Sequence, residues 1–333
     1  VSFGPRVFFI LFGEIMSEKV FTSIDDQIHL LESRGFLFDK ESSYAYAKNI
    51  LLRIGYYNLV NGYGRLFIEK MQEDGSPLYK QGATIQELNA LYEFDRKLRD
   101  IFLRHILSFE THIKSLVSYH FSEVHGHKNY LVYTNFDTHV KDSKRKITAL
   151  LSSIQRLISD RWNDPSISHY LNEHGYIPLW VVNNILTFGV VSKFYSLMLQ
   201  PERQAVAKHF GISDNNLQII VQYISTVRNF CAHGDRIYCY RTKNPMFDTS
   251  FHEDLSIKKN DANEYLCGKR DLFAAVIALK MVLSKNDFKR LCKDIYRAIG
   301  YLKDRLSVLS LDEILAEMGF PKNWKYLKHL QKR

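Results

Sequence analysis

The chain has 333 residues, 46% of them hydrophobic and 24% charged, which excludes a disordered or fibrous polymer and allows one large domain or two small ones. Only 16 Gly and 7 Pro punctuate it, beside 22 Phe and 20 Tyr, and this favours long helices over many short strands. Lysine and arginine number 45 against 36 acidic residues, a net charge of +9 that points to polyanionic partners, RNA or DNA before acidic lipid.

The apolar stretch VFFILFG (7–13) is far short of the ~20 residues of a membrane span and lacks a small-residue cleavage site. Met16 opens a conventional polar start, so residues 1–15 read as an upstream extension without function, with an interfacial anchor as the alternative. The leader is taken as residues 1–21. Thr22 and Ser23 precede Asp25 and Asp26 as an N-cap for a short helix that stops at Gly35. A second helix is expected over about 40–54, ending at Gly55, and YYNLVNGYGRLF (56–67) reads as a third helix or a packed turn. The tyrosines there (Tyr56, Tyr57, Tyr63) could stack bases, but a Tyr-rich core is the simpler account. MQEDGSPLYKQG (71–82) reads as a linker that closes an N-terminal helical region, 22–82.

Thr84 and Glu87 form a capping-box pattern, and the longest helical periodicity follows, over 85–121. Leu88, Leu91, Leu98, Ile101, Phe102, Phe109, Ile113 and Leu116 mark its core face. Asp95 with Arg99 and Arg96 with Asp100 are i,i+4 pairs expected on its polar side, unless Arg96 or Arg99 faces a phosphate. A polar, His-rich loop ending in KDSKRK (141–146) leads to a helix at about 144–161, and DPSISHYLNEHGYIPLW reads as irregular. A helix over about 178–199 is interrupted by TFG (187–189), another starts near 201, and SDNNLQIIVQYISTVRNFCAH closes the central set. Residues 240–268 read as a loop excursion before helices at about 270–284 and 286–307. Ser310 and Glu313 box a last short helix that ends at Gly319 and Pro321, and the tail PKNWKYLKHLQKR is basic. The chain is therefore expected to be all-α, with a helical core over 83–240 and a loop and C-terminal helical region over 241–333.

RNFCAHGDRIY (228–238) concentrates the chemistry. Leu217, Ile220, Val221 and Ile224 form the buried stripe of the helix that leads into it. At roughly 100° per residue, Asn229 and His233 share a face, while Arg228 and His233 lie about 140° apart. Both can meet one phosphate only if Gly234 ends the helix and frees His233, or if two copies of the helix pool their side chains. Histidine moves protons near neutral pH, arginine is a permanent fork-shaped cation for phosphate oxygens, and asparagine can orient either one. Such a set can cleave RNA without metal, by attack of a ribose 2′-oxygen on the adjacent phosphate. A helix-terminal histidine can also be no more than a favourable dipole contact.

RNFCAH resembles the R-x4–6-H motif of the HEPN superfamily, a helical RNase and RNA-binding fold. The wider sequence is similar to the Abi-like family of bacterial abortive-infection proteins, of AbiD/AbiF type. The likeness is carried by DQIHLLESRG (26–35), IGYYNLVNGYGRLF (54–67), LYEFDRKLRD (91–100), IPLW with LTFGVVSKFY (177–195), VRNFCAHGDRIY (227–238) and GFPKNW (319–324). It implies a multi-helix HEPN-like bundle with N- and C-terminal helical extensions, in a cytoplasmic anti-phage protein. It also implies a homodimer with a composite site, and a small non-coding RNA that restrains it as in toxin–antitoxin pairs. On that likeness Arg228, Asn229 and His233 would be catalytic. The family usually continues after the histidine as R-[LI]-[WY]-N-R; Arg236, Ile237 and Tyr238 fit, but Cys239 stands where Asn is expected, and Arg241 comes one place late.

The leading expectation is thus a metal-independent endoribonuclease with RNA as substrate and as regulator. Arg236, Tyr238, Arg241, Arg96 and Arg99 are the candidate RNA contacts. The alternatives are a non-catalytic RNA-binding module on the same fold and an interaction protein whose dimer interface is that helix. No cofactor, metal or membrane partner is expected. His252, Glu253 and Asp254 are consecutive and share no face, and His125 with His127 reads as a solvated loop pair. Cys231, Cys239, Cys267 and Cys292 form no CxxC pair and read as reduced cytosolic thiols.

Overall fold

The computed structural model describes residues 20–331; the expectations for residues 1–15 lie outside them. Two compact units emerge. One takes the chain up to Lys97 together with Tyr296–Ile314, and the other takes Leu98–Ile295 together with the chain from Leu315. The division falls inside a helix and not at the turn near residue 82. A long helix that serves two cores carries no composition change to mark where one core ends.

In the first unit, α1 (Ile24–Ser33) starts where the Ser23 hydroxyl accepts the Asp26 N–H at 3.2 Å, and the chain turns at Gly35 with φ +102°. It packs on α2 (Glu41–Ile54), burying Ile28, Leu31, Ala47, Ile50 and Leu51. The Tyr-rich segment is a π-helical turn over Tyr57–Asn61 and a 3-10 turn over Gly64–Phe67. Tyr63 is buried and donates to Asp95 Oδ2 at 2.8 Å, which removes its ring from any strand. The expected linker is instead half of a β-hairpin: β1 (Ile68–Met71) pairs antiparallel with β2 (Pro77–Tyr79) across a turn holding Asp74 and Gly75. The strands are too short for alternation to be visible, but the Asp-Gly pair was the available signal.

Helix α3 (Ile85–His125) begins as anticipated, with the Glu87 N–H donating to the Thr84 hydroxyl at 3.2 Å. The box is only half closed, because the Glu87 carboxylate turns to the backbone of Ser307, Val308 and Leu309.

In the second unit, α3 buries Leu98, Phe102, Ile106, Phe109, Ile113, Val117 and Phe121, while the anticipated core positions Ile101 and Leu116 are half-buried. Helices α4 (Ser143–Asp160) and α5 (Pro165–His174) follow. The segment carrying α5 reads as irregular in sequence, and in the structure it is a helix. Asp164 caps it by accepting the Ser166 N–H at 2.9 Å, and Pro165 fits the first turn, where no N–H is needed. The break at TFG separates α6 (Leu179–Val182) from α7 (Phe188–Leu197), which Thr187 caps. Then come α8 (Gln200–Lys208) and α9 (Asp214–His233), and α9 packs against α7, α8 and later α11. The 240–268 excursion holds only the short α10 (Ser250–Asp254) and a single bridge between Lys259 and Tyr265. Every residue of α11 (Leu272–Val282) is buried, so it is the central helix of this unit. Helices α12 (Lys285–Lys303) and α13 (Leu311–Glu317) follow, the latter opened by a full Ser310–Glu313 capping box, and a 3-10 turn over Trp324–Lys328 comes after them. Among the described residues no helix is long and apolar enough to cross a membrane.

Asp271 caps α11 from inside the protein. Its oxygens accept the Gly268 N–H at 2.9 and 3.1 Å and the Ala274 N–H at 3.0 Å. Its carboxyl group lies under Gly319, where an added Cβ would stand 2.1 Å from Asp271 Cγ. Burial pushes the Asp271 carboxyl from 3.8 up to about 6, against the pull of those hydrogen bonds. A carboxyl raised on folding favours the folded state most fully below its unfolded pKa. That contribution is lost as pH rises through the folded value. Between pH 4 and 6 this one group should therefore withdraw about 3 kcal/mol of stability. Urea midpoints of the wild type against Asp271→Asn across that window check it: the difference between the two should change with pH there and be flat above pH 7.

Candidate active site

Helix α9 is held by a continuous buried stripe, Leu217, Ile220, Val221, Ile224, Val227 and Cys231, so its polar end has a fixed direction. It stops at Gly234, whose φ of +78° is the left-handed turn a glycine adopts without a Cβ clash. The N–H of Asp235 returns to the Phe230 carbonyl at 3.0 Å, closing the end. His233 is therefore still helical, as its last residue. It does not swing out of the helix, which removes the first of the two ways to bring it toward Arg228. Its side chain is exposed and forms no hydrogen bond to a described residue. Asn229, one turn earlier, is exposed as well.

Arg228 is different. Its side chain is 28% exposed, and its Nε stands 3.5 Å from Oε2 of Glu110, a carboxylate only 7% exposed on α3. The other oxygen of Glu110 meets Lys114 Nζ at 2.9 Å. Lys114 also donates to the Leu186 carbonyl at 2.7 Å, and the Asn183 amide donates to the Lys114 carbonyl at 2.7 Å. A buried carboxylate thus lies between two cations, and the pair with Arg228 is coulombic: neither Arg228 Nε nor Glu110 Oε2 makes a hydrogen bond. The triad keeps a net positive charge beside the helix end. The guanidinium is held by charge and not by a full set of hydrogen bonds, so its fork remains available to a phosphate.

Glu110 and Lys114 were not anticipated. The available signal was an i,i+4 acid–base pair in the apolar half of α3, flanked by Phe109 and Ile113, which are both buried. Glu110→Gln is expected to lower stability by about 2 kcal/mol in urea unfolding, since it leaves Lys114 and Arg228 without their buried counter-charge. Lys114→Gln should cost less in that background than in the wild type, and equal costs would show that the two do not couple.

The remaining candidates divide. Arg99 is 8% exposed and its Nη1 donates to the Asp235 carbonyl at 3.4 Å, so it braces the turn after α9 instead of lying on a solvated face. Tyr238 is 1% exposed and Ile237 is fully buried. The Tyr238 ring belongs to the core and presents no face for base stacking. Arg241 is exposed but tethered, with Nη1 donating to the Tyr240 and Glu317 carbonyls at 2.9 Å each. Arg236 is half-buried. Arg96, in the first unit, is exposed and lies 3.7 Å from Glu93. Two histidines outside the motif also have occupations. His125 is not solvated: its Nε2 is 2.5 Å from the buried Glu202 carboxylate. His252 is fully buried, stacks on Tyr265 and bonds the Gly268 carbonyl at 3.0 Å, and burial lowers its pKa.

A family model described as Abi-like protein matches residues 49–239, more than half of the chain. The match takes in Glu110, Lys114 and the whole of RNFCAH, and stops before Arg241. No curated protein and no solved structure gives a significant match.

Proposed function

The chain belongs to the Abi-like family of abortive-infection proteins, and from that premise we propose that it is a HEPN-type endoribonuclease that needs no metal. The observation that supports this best is the contrast along one helix end. His233 is exposed and engaged by no described residue, while Arg228 is drawn back onto a buried carboxylate. A core role would leave the histidine covered. A proton-transfer role requires it open.

In this reading a 2′-hydroxyl loses its proton to a base, and its oxygen forms a bond to the adjacent phosphorus. The bond from phosphorus to the 5′-oxygen breaks, and that oxygen takes up a proton. The products are a 2′,3′-cyclic phosphate and a free 5′-hydroxyl. His233 is the proton carrier, Arg228 stabilises the charge on the phosphorane oxygens, and Asn229 orients one of the two. The helix is regular through His233, so Arg228 and His233 of one chain diverge by about 140°. This supports a site assembled from two copies of α9, in which the histidine of one copy joins the arginine of the other. The net charge of +9 suits an RNA substrate and a bound small RNA that keeps the enzyme off until infection. The hold of Glu110 on Arg228 favours one alternative, an RNA-binding module that never cleaves.

The test is cleavage of a mixed RNA in EDTA by protein stripped of copurifying nucleic acid, beside Arg228→Ala and His233→Ala. Cyclic-phosphate ends that disappear in both variants are the expected result. Cleavage that survives both substitutions would remove RNFCAH as the site, and tight binding without cleavage would favour the module.

A further inference from the structure

We propose that a row of partly exposed rings on the second unit, running from Tyr170 to Trp180, is a platform on which the bases of a single-stranded nucleic acid stack. Tyr170, His174, Tyr176, His127 and Trp180 follow one another with ring centres 5.4, 6.1, 5.1 and 5.7 Å apart. They come from α5, the turn into α6, the turn after α3, and α6 itself. Every one of these contacts is tilted, with 41°, 42°, 52° and 38° between the planes, and none is a face-to-face stack. The rings therefore do not consume one another's faces.

Exposure separates this row from a packing cluster. Trp180 is 50% exposed, although its neighbours Leu179 and Val181 are buried, and His174 is exposed as well. Tyr170, Tyr176 and His127 are half-buried. Rings of the same unit that serve the core look different: Phe121, Phe136 and Phe194 touch one another at 4.9–5.4 Å between centres, and none is more than 1% exposed. The row is also anchored. The Leu179 N–H donates to the His127 carbonyl at 2.9 Å, which ties the turn after α3 to the start of α6. Just past α6 the Asn183 amide donates to the Lys114 carbonyl at 2.7 Å.

The charge around the row suits a polyanion. Lys128 Nζ stands 5.3 Å from the centre of the Tyr176 ring, in the middle of the row. Between Glu123 and Asp137 in the sequence, and again between Asp164 and Glu202, Glu173 is the one acid. Flat π-faces beside a cation take up bases and phosphate together, whatever the base. The core of a contact between protein chains selects against lysine. The proposal goes beyond the cleavage reading and does not rest on it, since none of these ring contacts involves Arg228, Asn229 or His233.

The experiment uses the full chain and two fluorescent strands of equal length, neither with a free 2′-hydroxyl. One is a 2′-O-methyl oligoribonucleotide, and the other is an abasic phosphodiester that keeps the phosphates and lacks the bases. Binding is read by anisotropy. Trp180→Ala should weaken the base-bearing strand about fivefold or more, the loss of one stacked base, and change the abasic strand by less than about twofold. Trp180→Phe keeps a ring and should recover most of the affinity. His174→Ala, at an exposed position, should show the same split between the two strands. Lys128→Gln should lower the salt slope by about 0.7 for both strands, one phosphate contact. Equal weakening of both strands by Trp180→Ala and His174→Ala, or unchanged binding of the base-bearing strand, would overturn the proposal. So would a change in sedimentation with strand binding unchanged, which would make the row an interface between copies. Neither strand can be cut by the proposed chemistry, so these outcomes are read separately from the cleavage test.

Discussion

His233→Ala is expected to reduce RNA cleavage by at least about a thousandfold while leaving the thermal midpoint within a degree or two of the wild type. General acid–base catalysis by one side chain contributes typically 10²–10⁴-fold, and in a composite site of two chains the substitution removes both copies. The stability side follows from where the ring lies. His233 is the last residue of α9, exposed, with no hydrogen bond to a described residue, so its removal forfeits only a helix-end dipole contact of about 0.3–1 kcal/mol. Arg228→Ala should lose cleavage to a similar extent but should also cost about 1–2 kcal/mol, because it leaves Glu110 with Lys114 as its remaining partner. Arg228→Lys separates the two roles: the charge beside Glu110 survives, and the planar fork does not. It should restore the unfolding midpoint and not the rate. Single-turnover cleavage and urea unfolding on the four proteins decide this. A His233→Ala variant that cleaves normally, or one that unfolds several kcal/mol more readily, contradicts the assignment.

Several helix ends were legible from a local device. Ser23, Gly35, Gly55, Thr187, Ser213 and Gly234 stand at observed caps or turns, because a hydroxyl that caps an N–H, or a glycine that turns left-handed, acts within a few residues. The same locality made RNFCAH visible as the polar end of an apolar helix. What escaped depends on partners remote in sequence. Arg99 looks like one member of a surface charge lattice until Asp235, 136 residues later, supplies the carbonyl it braces. Tyr238 looks like an RNA contact until the fold covers it. Glu110 looks like another acid on a helix until α9 brings Arg228 against it. The α5 segment is a different case, because Asp164 and Pro165 are a local start signal that also reads as a turn, and only the helix that follows resolves it.

Glu87→Ala is expected to be the most damaging single truncation of a charged residue in the first unit, at about 3–5 kcal/mol. From sequence, Glu87 forms a reciprocal box with Thr84, worth on the order of 1 kcal/mol. Its actual work is larger. The side chain is 2% exposed, and its carboxylate accepts the N–H groups of Ser307, Val308 and Leu309 at 2.9, 3.1 and 2.9 Å, together with the Ser307 hydroxyl. Those residues follow the end of α12 at Lys303, where no helix or strand is available to satisfy them. Three consecutive N–H groups converging on one anion form a nest, and removing the anion leaves each donor with its own desolvation cost. Glu87→Gln keeps the shape but turns one acceptor into a donor facing N–H groups, so about half of the loss should remain. The Glu87 N–H that donates to Thr84 is untouched in both variants, which keeps the helix start intact. Urea unfolding gives the two costs, and limited proteolysis should show new cleavage between Asp304 and Ser310 in the alanine variant alone. A loss below 1 kcal/mol with no new cleavage would mean that the turn is anchored instead by its buried leucines, Leu302 and Leu309.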